Sequence, residues 1–192
     1  VGTALDVLFS LHDIRSLRAE TPQAGLGLLA GEDVDLVIQD MNFHADTTSG
    51  DEGVALFHQI RERHPDLPVI LLTAWTQLES AIELVKAGAA DYLAKPWDDR
   101  KLIATVNNLL ELGEARRELA QASAKLANAE ANFERARKMT QAGGYSRQQL
   151  DAARTEYEVA KATYDDASSN LEDTVIKAPI AGMVIGKPIP AG

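Results

Sequence analysis

Residues 34–40 read VDLVIQD, an apolar run closed by the carboxylate of Asp40. Two later stretches repeat that form: PVILLT over residues 68–73 ends on Thr73, and DYLAK over residues 91–95 ends on Lys95. Between and after them, residues 51–64, 77–87 and 98–110 carry helical spacing. Upstream, residues 3–12 and 22–30 read as helix, and residues 14–18 as a short extended strand. Strands alternating with helices of this length predict an α/β fold with a doubly wound parallel sheet. Such strands are buried on both faces and so read as unbroken apolar runs.

In such sheets ligands sit beyond the carboxyl ends of the strands. Asp40, Thr73 and Lys95 all fall there. Taken singly, each is more often a solvated loop residue than a reacting group, and it is their repetition at successive strand ends that carries meaning. Together they make chemical sense as a phosphorylation site: the Asp40 carboxylate attacks phosphorus, the Thr73 hydroxyl bonds a phosphoryl oxygen, and the Lys95 ammonium balances the added charge.

With Ala74 directly after Thr73, AGAA at 87–90 leading to Tyr92, and the dipeptide Lys95-Pro96, these residues resemble the receiver domain of two-component response regulators over about residues 1–112. The resemblance implies a flavodoxin-like fold, Asp40 as phosphoacceptor, Thr73 and Tyr92 as a switch pair, a cis bond at Lys95-Pro96, and a sensor histidine kinase as partner. It also implies Mg2+ held by Asp40 and the backbone carbonyl of Asn42. Receivers add to that site an acidic pair closing a first, central strand, and this chain begins where that pair has already passed. The expectation is therefore weak Mg2+ binding, inefficient phosphorylation from small donors, and an open place between residues 14–18 and the first quoted run. The loop 42–53 is longer than usual for the family and lacks its customary proline, so Asp46 and Asp51 reshape the acidic rim. Trp75 and Trp97 either line that rim or pack on neighbouring helices.

From Leu112 the pattern changes to heptads. Leu112, Ala115, Leu119, Ala122, Leu126, Ala129, Phe133 and Ala136 alternate steps of three and four, as do Leu150, Ala153, Tyr157, Ala160, Tyr164, Ala167 and Leu171. Two narrow seams of this kind predict helices that pack closely. Gly143 and Gly144 stop the first, and Ser146 with Gln149 forms a capping box for the second, so the helices turn back as a hairpin roughly 40 Å long. Arg135, Met139, Ser146, the run SRQQLD (146–151) and LEDTVIKAPIAG (171–182) resemble the periplasmic adaptor, or membrane fusion, proteins of tripartite efflux and secretion systems, over about residues 118–192. That resemblance implies an outer-membrane channel as partner, docked by Arg135, Met139 and Ser146 at the tip, and half of a lipoyl-like β domain near the end. Apart from it, the seams fit a coiled-coil stalk for self-association, Ser146 is explained by capping, and Arg135 by a solvated face.

The expected organisation is a receiver-like domain (1–112), a helical hairpin (113–173) and a short β tail (174–192). Composition narrows the function. Residues 1–110 hold 17 Asp and Glu against 8 Lys and Arg, net −9, while residues 111–192 hold 12 against 11, net −1. A surface so acidic disfavours nucleic acid. No apolar run approaches the roughly 18 residues of a membrane span. Cysteine is absent, and His12, His44, His58 and His64 show no zinc spacing. Three readings follow: a cytoplasmic, non-enzymatic phosphorelay element, a periplasmic adaptor fragment, and a join of two truncated genes without integrated function.

Overall fold

The computed structural model describes residues 2–41, 51–73 and 83–174. The chain forms two compact units, Val1–Gly113 and Glu114–Gly192. The first contains α1 (Gly2–Ser10), α2 (Pro22–Gly31), β1 (Val37–Asp40), α3 (Asp51–Arg63), β2 (Val69–Thr73), β3 (Asp91–Ala94) and the start of α4 (Asp99–Gln141); residues 83–86 are also helical. The strands form a parallel sheet in the order β1-β2-β3, with Asp40 beside Leu72 and Thr73 beside Ala94. The quoted apolar runs are the strands, and the doubly wound reading holds.

Side chains alternate across the central strand, so β2 feeds two cores. Val69 and Leu71 join Met41, Phe57, Ile60 and Leu84 on one face, and Ile70 and Leu72 join Phe9, Leu93, Leu102 and Val106 on the other. All five β2 residues are buried, which explains a run without a polar side chain until Thr73. At α2, Thr21 caps the helix by accepting the Ala24 amide at 3.2 Å, and Pro22 occupies the first turn, where an amide has no helical partner.

Two expectations need correction. Residues 14–18 form no strand, because extended backbone becomes a strand only when a neighbour completes its ladder, and among the described residues β1 ends the sheet on that side. The helix expected to end near Leu110 does not stop: α4 runs without a break for 43 residues, carrying Gly113 in its interior. One glycine costs a helix about 1 kcal/mol, too little to end one whose flanks are strongly helical.

In the second unit the distal part of α4 is followed by α5 (Arg147–Thr174). The seam is the one the spacing predicts: Ala115, Ala122, Ala129 and Ala136 are buried, and Phe133 stacks on Tyr157 with centroids 5.7 Å apart. Gly143 adopts φ +78°, and its amide and that of Gly144 return to the carbonyls of Thr140 and Met139 at 3.0 and 2.8 Å. That double return closes the helix in the left-handed turn glycine makes easily. The capping box is reciprocal: the Ser146 amide donates to Gln149 Oε1 at 2.8 Å and the Gln149 amide to Ser146 Oγ at 3.3 Å. The expected β tail lies outside the described residues from 175 onward.

Candidate functional site

Each strand of the sheet brings a polar residue, at its end or just past it, to the same edge. Asp40 ends β1, Thr73 ends β2, and Lys95 follows β3, its amide donating to the Thr73 carbonyl at 2.8 Å. The Met41 amide donates to Leu72 across the other ladder at 2.9 Å, so both junctions remain paired one residue beyond the strands. Backbone pairing thus fixes where the side chains emerge. Lys95 Nζ lies 2.5 Å from Asp40 Oδ2, and the two side chains keep 24% and 26% of their exposure. They are accessible at a rim while losing much of their water, so charge at this edge is screened less than on an open surface. Thr73 is buried, with 1% exposure. The Lys95-Pro96 bond is cis, as expected.

The remaining expected site residues are distributed more widely. Tyr92 lies beside Leu71 in the ladder and packs half-buried against the cluster containing Phe57 and Leu84. Trp97 packs against the cluster containing Phe9 and Val106 and donates Nε1 to Asp99 at 3.1 Å, which is the packing alternative. Asn42, Asp46 and Trp75 lie outside the described residues, as does the Asp51 side chain. Arg135, Met139 and Ser146, at and near the hairpin turn, are exposed.

The sequence reading missed Gln39 and Gly53. Gln39 is buried beside Asp40 and donates Nε2 to the Gly53 carbonyl at 2.6 Å. A Cβ on Gly53 would lie 2.7 Å from the Met41 carbonyl oxygen and 3.0 Å from its Cα, so the strand end and the start of α3 approach as only glycine permits. The available signal was an amide inside an otherwise apolar run, next to the carboxylate that closes it.

Magnesium prefers about six oxygens in near-octahedral array, usually including one or two carboxylates. Among the described residues no three His, Asp or Glu side chains gather, and Asp40 already holds Lys95 on one oxygen. That donor set does not by itself make a magnesium site.

A parallel α/β domain that brings a carboxylate, a buried hydroxyl and an ammonium to one strand edge has the arrangement expected of a receiver domain. The profile of the response regulator receiver domain matches residues 2–107, and the chain belongs to that family. The profile described as RND MFP, alpha-helical hairpin domain, matches residues 111–177, so a receiver is followed by an adaptor-type hairpin. Among curated relatives, the response regulator protein FleR of Pseudomonas aeruginosa is 41% identical over 87 residues, 45% of this chain and 17% of that protein. The DNA-binding transcriptional regulator NtrC of Salmonella typhimurium is 38% identical over 85 residues, 44% of this chain. The chain spans 17% of the length of each of these two. Among solved structures, the N-terminal signal receiver domain of a Bacteroides fragilis response regulator superposes with TM-score 0.50 at 33% identity, covering 56% of this chain and 85% of its own. The NtrX receiver domain from Brucella abortus, at 24% identity and TM-score 0.51, shares the fold, over 56% of this chain and 88% of its own. Receivers of this family are signalling domains that work with sensor histidine kinases and use Mg2+ for phosphorylation. No described helix is long and apolar enough to cross a membrane.

Proposed function

We propose that this chain is a cytoplasmic phosphorelay element that accepts a phosphoryl group on Asp40 from a sensor histidine kinase, slowly when the donor is a small molecule. The observation that carries the reading is the 2.5 Å contact between Lys95 and Asp40 at the carboxyl edge of the sheet. In-line attack by an Asp40 oxygen on phosphorus forms an acyl phosphate and expels the donor's leaving group; Lys95 offsets the charge that arrives, and the Thr73 hydroxyl bonds a phosphoryl oxygen. Asn42 would offer a backbone carbonyl to magnesium, and Thr73 with Tyr92 would repack in response. The slow rate follows from a metal site at which the described residues gather no group of three His, Asp or Glu side chains. Labelling with radioactive phosphoramidate in excess Mg2+ tests this. The expected result is slow, substoichiometric incorporation that Asp40→Asn abolishes; rapid stoichiometric labelling refutes the impaired site, and labelling unchanged in Asp40→Asn refutes the phosphoacceptor.

A second reading has its own support in the hairpin match over residues 111–177. In it the second unit is an adaptor-type element of a tripartite efflux or secretion system, working in the periplasm, and Arg135, Met139 and Ser146 meet an outer-membrane channel. Their exposure near the turn is compatible with docking. Crosslinking from position 139 to a purified channel, lost in Arg135→Asp, supports that reading; no crosslink removes it.

A further inference from the structure

In the second unit the turn of the hairpin differs in charge from the helices behind it. Residues 135–150 hold four cations and no carboxylate, while residues 114–134 and 151–174 hold 11 Asp and Glu against 5 Lys and Arg. Arg137 is paired with Glu134 at 3.0 Å, but Arg135, Lys138 and Arg147 are exposed and form no ion pair among the described residues. Lys138 and Arg135 stand three and six residues before the end of α4 at Gln141, about 5 and 9 Å back along its axis, and Arg147 opens α5.

The apex itself is partly apolar. Among the described residues the second unit exposes three large hydrophobic side chains, and two of them, Tyr145 at 38% and Met139 at 42%, belong to the turn. The Met139 methyl lies over Gly144, 3.0 Å from where a Cβ would stand, which keeps it at the end of the hairpin. An aromatic ring bearing a hydroxyl, with cations close behind, is a composition that settles at a lipid headgroup boundary, where the ring enters and the long basic side chains reach the phosphates. A flat protein surface fits less well. A blunt end two helices wide, each about 10 Å across, offers roughly 200 Å2, against about 800 Å2 per partner in a stable complex.

We propose that the hairpin tip binds an anionic phospholipid surface end-on, with Tyr145 and Met139 entering the headgroup region and Arg135, Lys138 and Arg147 drawn to its phosphates. All three cations lie within about one Debye length of the apex, which is roughly 10 Å at 0.1 M salt, and each contributes about fivefold to partitioning. The acidic helices behind them are repelled by the same surface, which selects the end-on approach. The inference is independent of phosphorylation at Asp40 and of channel docking.

The test is flotation of the full chain with vesicles of phosphatidylcholine alone and of phosphatidylcholine mixed with phosphatidylglycerol. Because the chain has no cysteine, Tyr145→Cys and Val159→Cys can each carry a single polarity-sensitive dye. Expected is binding to the anionic vesicles only, weakened at least about tenfold in the triple variant Arg135→Gln, Lys138→Gln, Arg147→Gln and again at high salt. The dye at position 145 should shift to the blue on binding, and the dye at 159, an exposed position midway along α5, should not. No flotation overturns the proposal, as does equal flotation with both vesicles or equal flotation of the triple variant. A blue shift at both positions means binding along the helices and overturns the end-on arrangement. Binding of soluble polyglutamate as tight as that of the anionic vesicles assigns the tip to acidic protein and overturns the lipid surface.

Discussion

Removing either member of the Asp40–Lys95 pair should expose how strongly the two are coupled, and the structure supplies the magnitude. At their 2.5 Å separation, Coulomb attraction alone is about 1.7 kcal/mol in bulk water and about 6.6 kcal/mol at an effective dielectric of 20. Desolvation offsets much of this. Exposed pairs yield about 0–1 kcal/mol, whereas breaking a buried pair costs about 3–5 kcal/mol. Side chains that retain 26% and 24% of their exposure fall between these cases. The expected coupling is about 1–2 kcal/mol. It should be read from a double-mutant cycle of Asp40→Asn, Lys95→Met and the double variant, unfolded in urea at low salt. Both tryptophans of the chain, Trp75 and Trp97, belong to the first unit, so their fluorescence reports that unit without interference from the hairpin. With a urea slope of about 2 kcal/mol/M, the coupling appears as a midpoint discrepancy of about 0.5–1 M from additivity. Additivity within about 0.5 kcal/mol would refute the electrostatic contact as described.

Other changes test the scaffold. Gly53→Ala should lower first-unit stability by at least about 2 kcal/mol, since the methyl meets Met41 backbone at 2.7 Å and disturbs the Gln39 bond; urea denaturation followed by tryptophan fluorescence measures it. Arg61 donates to the carbonyls of Pro65 and Gly88 and lies 5.7 Å from the Phe57 ring centroid. Arg61→Met keeps much of the packing and loses both bonds, so a loss of about 2 kcal/mol is expected in the same assay. Ala129→Leu forces volume into a seam position with 3% exposure, and should destabilise the hairpin by about 1–3 kcal/mol in helical circular dichroism. It should leave the tryptophan transition unmoved.

The strands were legible because burial on both faces removes polar side chains until the edge where chemistry is needed; β2 is the plainest case, with Thr73 as its only polar residue. The hairpin was legible for a comparable reason, since its seam and its capping box are local patterns that the structure reproduces residue by residue. What escaped depends on partners distant in the chain. Residues 14–18 have strand-like composition, yet a strand is a relation between two segments. Gln39 reads as an interruption until its partner Gly53, 14 residues away, is known. Arg61 reads as a solvated helix cation until the Gly88 carbonyl, 27 residues away, is placed against it. The change of pattern at Leu112 reads as a boundary between elements, whereas the backbone continues helical through it.

The central claim is that Asp40 forms an acyl phosphate. Borohydride reduces such a bond and converts the aspartate to homoserine, so peptide mass spectrometry of the phosphoramidate-treated and reduced chain locates the modified carboxyl group. The account predicts homoserine at position 40 and at no other aspartate. Homoserine elsewhere, or phosphate that survives reduction on a serine, threonine or histidine while Asp40 stays intact, would contradict it.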